Sequence, residues 1–189
     1  MMAEMTRALI VGAAILSAAG APVASATDEI VAEPQGYWQG PMNAKVPATL
    51  AGGIIIDTDE LVRLVRDERA VLIDVMPAPR RPPQQSTPWL PVPHKDIPGS
   101  AWIPGAGSGV ISATMESYLR DRLTELTNRN PDKPVVFYCR PDYWASWNAA
   151  KRAIAEGYRR VCWYPGGVQA WQDAGLPTEV ASAEGPAVQ

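Results

Sequence analysis

Apolar residues in this chain form short continuous runs separated by amphipathic stretches. Five runs have the length of strands and lie at residues 53–56, 70–75, 100–104, 134–139 and 160–164. Such runs are typical of strands that are buried on both faces of a parallel sheet. Each of four amphipathic stretches has a helical pattern. The first begins at Asp57, which has capping-box spacing with Glu60, and the other three cover residues 113–127, 146–157 and 165–175. The alternation predicts an α/β fold, with a mainly parallel sheet of about five strands flanked by helices on both faces.

The first 26 residues have the pattern of a secretory signal peptide. Arg7 precedes the apolar run ALIVGAAILSAAGAPV, and Ala24-Ser25-Ala26 has the A-x-A form of a cleavage site. We therefore predict cleavage near Ala26 and export, most simply to a bacterial periplasm. The run is short for a transmembrane helix, so no stable membrane span is expected after cleavage; an uncleaved anchor is the alternative.

The remaining sequence divides into an arm, one domain and a tail. Residues 27–49 are polar and irregular, but Tyr37 and Trp38 can pack on the domain, which we place at residues 50–180. Within the domain, residues 77–98 read PAPRRPPQQSTPWLPVPHKDIP and predict a long surface loop, because proline disfavours helix. This loop either contacts a partner or has no role of its own. Residues 181–189 are predicted to be a flexible tail.

Composition and charge exclude several classes of function. With a net charge of −3 and a pI near 5.2, the chain lacks the basic footprint of a nucleic-acid-binding protein. Its one histidine, His94, lies in the proline-rich loop and is expected to be exposed. A multi-histidine metal site and a Cys–His pair are therefore not predicted, and nothing in the sequence indicates a bound cofactor.

The two cysteines occupy different positions along two predicted strands. Cys139 ends the run 134–139, whereas Cys162 lies in the middle of the run 160–164. If these strands are parallel neighbours, the offset along the sheet separates the Cα atoms beyond disulfide range. Two free thiols are therefore expected, with a single disulfide as the alternative in an oxidising compartment.

Cys139 is the candidate nucleophile, because functional sites of parallel sheets form at the carboxyl ends of strands. The loop that follows leads into a helix, so its amides, the helix N-terminus and a nearby positive charge would favour a thiolate and a bound anion. The alternative is a small apolar residue that merely ends a strand. The predicted substrate-binding residues are the loop and its rim: Arg140, Pro141, Asp142, Tyr143, Trp144, Ala145 and Ser146.

Three of the residues near this loop have two possible roles each. Asp142 can orient the thiol as a proton acceptor or can satisfy local amides in a turn. Trp144 and Trp147, three positions apart, can wall the mouth of the site or can pack in the interior.

Four ordered segments resemble a single-domain rhodanese over residues 50–177. They are VLIDV ending near Asp74, the Ile97-Pro98-Gly99-Ser100 turn, PVVFYCR with Cys139, and Gly166-Gly167 followed by Trp171. The resemblance implies a sulfurtransferase or persulfide carrier, in which Cys139 takes a sulfane sulfur and passes it to an acceptor. A small sulfur-containing anion and a thiol acceptor would be its partners.

The chain also resembles a rhodanese-like subgroup named for a CXXCW motif and associated with PQQ-dependent catabolism. The similar segments are EPQGYW, VPATLAGG, VLIDVMPAPRRP, IPGSAWIPGAG and SWNAAKRA. This resemblance implies a periplasmic protein that works beside a quinoprotein dehydrogenase or its cytochrome. A non-catalytic accessory or maturation factor for such a partner is the alternative function, with residues 77–98 as its working surface.

The sequence departs from these families at several positions. Tyr143 precedes Trp144 where the subgroup has its second cysteine, which makes a thiol–disulfide role the third choice. Ala145 stands where phosphatase relatives need an arginine, so phosphatase activity is not expected. Met76 and Asp96 replace an arginine and a histidine that are common in the family.

Overall fold

The computed structural model describes residues 31–67, 69–79 and 92–186. Its strands are β1 (Ile54–Ile55), β2 (Val71–Asp74), β3 (Lys95–Asp96), β4 (Ser100–Trp102), β5 (Val135–Tyr138), β6 (Val161–Tyr164) and β7 (Glu179–Val180). Its helices are α1 (Thr58–Arg66), α2 (Ala113–Leu126), α3 (Ala145–Ala155) and α4 (Gly167–Asp173). Five strands form one sheet in the order β1-β6-β5-β2-β4, and every pairing in it is parallel. The predicted α/β fold is confirmed.

The two faces of the sheet carry separate apolar cores. Alternate residues of each strand point to opposite sides. Ile73, Phe137 and Trp163 pack with buried residues of α2 and α3, whereas Leu72, Tyr138 and Cys162 pack with Leu61 of α1 and Trp171 of α4. Helices therefore cover both faces, which explains why the strands read as continuous apolar runs.

Local sequence signals set the beginnings and ends of the helices. The predicted capping box at the start of α1 is present, because the Glu60 amide donates to Asp57 Oδ1 at 2.8 Å and the Asp57 amide donates to Glu60 Oε2 at 3.1 Å. Gly157, with φ +93°, follows α3 in the left-handed conformation that ends many helices.

A small second sheet fastens the C-terminal residues to the domain. β3 and β7 pair antiparallel, and the Glu184 amide donates to the Trp102 carbonyl at 2.8 Å. The Glu184 carboxylate also accepts a hydrogen bond from Arg122 Nε at 2.7 Å. Residues 181–184 are therefore bound to the domain, unlike the flexible tail predicted for 181–189; residues 187–189 lie outside the described residues.

Some predictions concern parts of the chain that the structure does not describe. The signal peptide at 1–26, residues 27–30 of the arm and residues 80–91 of the proline-rich loop lie outside the described residues. Within the described ranges, no helix has the length and apolar character needed to cross a bilayer.

Candidate active site

Cys139 lies between β5 and α3, at the carboxyl edge of the sheet, as predicted. The loop turns sharply at Asp142, which adopts the left-handed conformation at φ +49°. The Cys139 end of the loop packs against Gly167 at the start of α4. Gly167 has φ +58°, and a Cβ added to it would lie 2.5 Å from the Cys139 carbonyl oxygen. The glycine is therefore required by both backbone conformation and space.

The sulfur of Cys139 is enclosed by its own loop. The side chain has no solvent exposure. Its S–H group can donate to the Arg140 carbonyl at 3.5 Å, to Ser146 Oγ at 3.6 Å or to the Tyr143 carbonyl at 3.7 Å. Ser146 Oγ is held in place because it also accepts from Trp163 Nε1 at 3.0 Å. One S–H proton serves three acceptors, so the sulfur lies in surroundings that favour the thiol.

The predicted lowering of the Cys139 pKa is wrong for this closed arrangement. Burial raises the pKa of the Cys139 thiol above its ordinary value, and the charge of Asp74 adds to the rise. Hydrogen bonds with the Ser146 side chain and with the backbone of Arg140 and Ser146 lower the pKa by less. Complete desolvation outweighs the loop amides and the helix N-terminus. The resting thiol is therefore protonated at neutral pH.

The charged side chains of the loop point away from the sulfur. The Arg140 guanidinium lies 4.4 Å from the centre of the Tyr143 ring, on the exposed side of the loop. Pro141 and Asp142 are also exposed. Among the described residues, no hydrogen bond joins the Asp142 carboxylate to Cys139, and the left-handed backbone favours the turn role of Asp142.

The two tryptophans belong to the interior rather than to the mouth of the site. Trp144 is fully buried and stacks on Trp38 of the arm, with ring centroids 4.4 Å apart and an interplanar angle of 11°. Trp147 is also buried and meets Trp144 edge to face at 5.4 Å. Of the two roles that the sequence left open for Trp144, packing in the interior is the one observed, and its side chain does not line the mouth of the site. Ala145 is also buried, but it borders the larger of the clefts described below.

His94 is not exposed, contrary to the prediction. Its Nε2 atom lies 2.7 Å from Asp74 Oδ2, and its ring stacks on Trp102 at 3.9 Å. Asp74 is fully buried at the end of β2, where burial raises its pKa and the hydrogen bond with His94 opposes the rise. The two residues are 20 positions apart in the sequence, and no local pattern indicates their pairing.

Two clefts border the loop, one on each side of Tyr143. The larger has a volume of about 530 Å³ and is mostly neutral, with Met42, Val75, Pro104, Gly107 and Ala145 in its walls. The smaller has a volume of about 350 Å³ and carries cationic side chains, with Met76, Val92, His94, Lys95 and Arg140 in its walls. Neither cleft reaches Cys139 in this closed conformation.

The two cysteines are free, as expected. Cys139 belongs to the core on the α2–α3 side of the sheet, whereas Cys162 belongs to the core on the α1–α4 side. The sheet itself separates the two thiols. No group of potential metal ligands occurs among the described residues.

The model of the rhodanese-like domain family matches residues 57–174. This match covers more than half of the chain, and the protein belongs to the rhodanese-like domain family. No curated protein sequence matches it significantly.

Several solved structures are similar to this chain at low sequence identity. A thiosulfate sulfurtransferase from Pseudomonas aeruginosa is 20% identical, with a TM-score of 0.46 over 74% of this chain and 22% of that one. The polysulfide-sulfur transferase homodimer from Wolinella succinogenes is 21% identical, with a TM-score of 0.44 over 70% and 82% of the two chains. A human single-domain sulfurtransferase is 21% identical, with a TM-score of 0.39 over 63% and 95%. The chain thus spans less than a quarter of the Pseudomonas enzyme.

Proposed function

We propose that this protein is a sulfurtransferase or persulfide carrier that uses Cys139 as its nucleophile. The observation that supports the proposal most is the position of Cys139 in a rhodanese-like domain, at the end of β5 and in front of α3. A loop that wraps one sulfur atom at the N-terminus of a helix is suited to holding a sulfur anion, because the helix end carries a partial positive charge.

The reaction takes place in two transfers. The Cys139 thiolate attacks the outer sulfur of a donor such as thiosulfate; an S–S bond forms to Cys139, the donor's own S–S bond breaks, and sulfite leaves with the bonding electrons. A nucleophilic acceptor then attacks the outer sulfur of the persulfide, and the Cys139 thiolate is the leaving group. With cyanide as the acceptor, the product is thiocyanate. Neither transfer requires an external oxidant or reductant.

The closed loop sets a condition on this chemistry. A buried, protonated thiol does not react until the loop opens and admits water or a donor, which removes the desolvation that raises its pKa. Ser146 Oγ lies 3.6 Å from the sulfur. It can accept a hydrogen bond from the Cys139 thiol, and its hydroxyl can donate a hydrogen bond to the thiolate once the proton has left.

We extend the proposal to cellular context. The signal pattern at 1–26 supports export to the periplasm, and the resemblance to the PQQ-associated subgroup supports work beside a quinoprotein dehydrogenase or its cytochrome. N-terminal sequencing of the exported protein tests the first statement, with an N-terminus just after Ala26 as the expected result. An uncleaved N-terminus in the membrane fraction would contradict it.

A non-catalytic accessory role is the second candidate, and the complete burial of Cys139 favours it. In that case the protein binds its quinoprotein partner through the proline-rich segment 77–98, and Cys139 is a packing residue. Deletion of residues 80–91 should then abolish capture of the partner, whereas an unchanged interaction would count against this role.

Turnover with a panel of sulfane donors and cyanide distinguishes the two candidates. Thiocyanate formation that is lost in Cys139→Ser and kept in Cys162→Ser supports the sulfurtransferase. Cys162→Ser is a matched control, because it removes the same thiol group from a side chain that points to the other face of the sheet. Thiocyanate formation at the uncatalysed rate with every donor favours the accessory role.

A further inference from the structure

The N-terminal arm is bonded directly to the Cys139 loop. The Trp144 amide donates to the Met42 carbonyl at 3.0 Å, and the Ala44 amide donates to the Asp142 carbonyl at 3.0 Å. Between these bonds, Asn43 and Tyr143 form an antiparallel β-bridge. A segment that precedes the domain in sequence thus pairs with the backbone that encloses the sulfur.

Side chains reinforce this pairing. Asn148 of α3 is fully buried and holds Trp38 on both sides, because its Oδ1 accepts from the Trp38 amide at 2.8 Å and its Nδ2 donates to the Trp38 carbonyl at 3.0 Å. The same Nδ2 group donates to the Gly107 carbonyl at 3.1 Å. Trp38 is thereby fixed over Trp144, the last loop residue before α3.

The closed loop gives a sulfur donor no access to Sγ and crowds its surroundings. A persulfide adds a sulfur about 2.05 Å from Sγ. Oxygen atoms of Arg140, Ser146 and Tyr143 lie 3.5–3.7 Å from Sγ, and the side chain has no exposed surface. A sulfur added toward any of these oxygens would lie within about 2 Å of it, far inside van der Waals contact. Loading of Cys139 therefore requires the loop to move.

We propose that residues 38–44 of the arm form a latch that keeps the Cys139 loop closed and is released when the thiol is loaded. Because Asp142 and Trp144 cannot shift far while they are bonded to Ala44 and Met42, loop opening and latch release are one event. The latch makes access to Cys139 depend on a segment outside the catalytic domain. Its role in sulfur transfer rests on the proposed function, but the latch itself does not.

Alkylation kinetics of the two thiols test the latch. Ala44→Pro removes the amide that donates to Asp142, and Ala32→Pro is the matched control, since Ala32 is an exposed arm residue whose amide makes no hydrogen bond among the described residues. Iodoacetamide labelling, followed by peptide mass spectrometry, reports both thiols at once. Cys162 is the internal reference, because it lies on the other face of the sheet.

The latch predicts that Ala44→Pro accelerates labelling of Cys139 by about two- to tenfold, the range that corresponds to the net loss of one hydrogen bond in an opening equilibrium. Labelling of Cys162 should not change, and Ala32→Pro should behave like the native protein. Equal Cys139 rates in the two variants would overturn the proposal. A parallel rise for Cys162 would also overturn it, because Cys139 would then be reached by global unfolding.

Hydrogen exchange of the native sequence supplies a second test that does not depend on a variant. Methyl methanethiosulfonate converts a thiolate to an S–S–CH₃ group with methanesulfinate as the leaving group, and thus imitates a loaded cysteine. The amides of Ala44 and Trp144 should lose protection together after this modification, while the amides of β5 keep theirs. Unchanged protection at Ala44 in the modified protein would overturn the latch. This result is independent of whether any sulfane donor reacts, so failure of the latch and failure of the sulfurtransferase proposal can be told apart.

Discussion

Asp96 is a buried carboxyl for which the described part of the chain provides no hydrogen-bond partner, and its replacement should stabilise the protein at neutral pH. The residue lies in β3, is 1% exposed, and neither carboxyl oxygen accepts a hydrogen bond among the described residues. Burial raises the pKa of Asp96 to about 6; the charges of Asp74 and Glu179 add to the rise, and His94 opposes it. Asp96→Asn removes the titrating group and keeps the shape of the side chain.

The sign and size of the effect follow from linkage. The folded pKa lies above the unfolded value, so the folded state binds the proton more tightly. The stability that comes from this proton is fully present below the ordinary carboxyl pKa of 3.8 and is lost as pH rises through about 6. A rise from 3.8 to about 6 corresponds to about 3 kcal/mol at pH 7.5.

Urea unfolding between pH 4 and pH 8 measures this difference. The free energy of unfolding of Asp96→Asn relative to the native protein should increase by about 2.5 kcal/mol from pH 4 to pH 8, because part of the full effect has already developed at pH 4. The exposed Asp121→Asn in α2 carries the same charge change and should remain within about 0.5 kcal/mol at every pH. A relative stability of Asp96→Asn that does not vary with pH would refute the reasoning.

Two further substitutions test how the Cys139 loop is held. Gly167→Ala places a Cβ 2.5 Å from the Cys139 carbonyl oxygen, so it should lower the free energy of unfolding by at least about 2 kcal/mol and abolish sulfur loading. Gly157→Ala is the control, because Gly157 also has a positive φ but lies in open space; it should lower the free energy of unfolding by about 1 kcal/mol and leave sulfur loading intact. Equal effects of the two substitutions in urea unfolding would contradict the contact at Gly167. Ser146→Ala removes a hydrogen bond that lowers the Cys139 pKa, so the midpoint of the alkylation rate against pH should move upward, and a downward shift would contradict the assigned contact.

The elements and the position of the site could be predicted because they depend on local patterns. Continuous apolar runs identified the five strands of the parallel sheet within one or two residues, and the end of β5 placed Cys139 at the carboxyl edge of that sheet. The short strands β3 and β7 were not predicted. The capping box at Asp57 and Glu60 and the glycine after α3 are also local, since each depends on neighbours within one helical turn.

The electrostatics of the site could not be predicted, because they depend on contacts that are distant in sequence. The exposure of Cys139 is set by a loop that is bonded to the arm about 100 residues earlier, and no local pattern encodes the stacking of Trp38 on Trp144. The prediction from the loop amides, the helix N-terminus and the charge of Arg140 therefore gave the wrong direction for the thiol pKa. The pairing of His94 with Asp74 likewise requires the chain to return across the proline-rich loop.

The most direct test of the central claim is the intact mass of the protein after incubation with thiosulfate or another sulfane donor. The account predicts a gain of one sulfur atom in the native protein and in Cys162→Ser, no gain in Cys139→Ser, and loss of the added sulfur on treatment with cyanide. A native protein that keeps its original mass with every donor, or an adduct that persists in Cys139→Ser, would contradict Cys139 as the sulfur carrier.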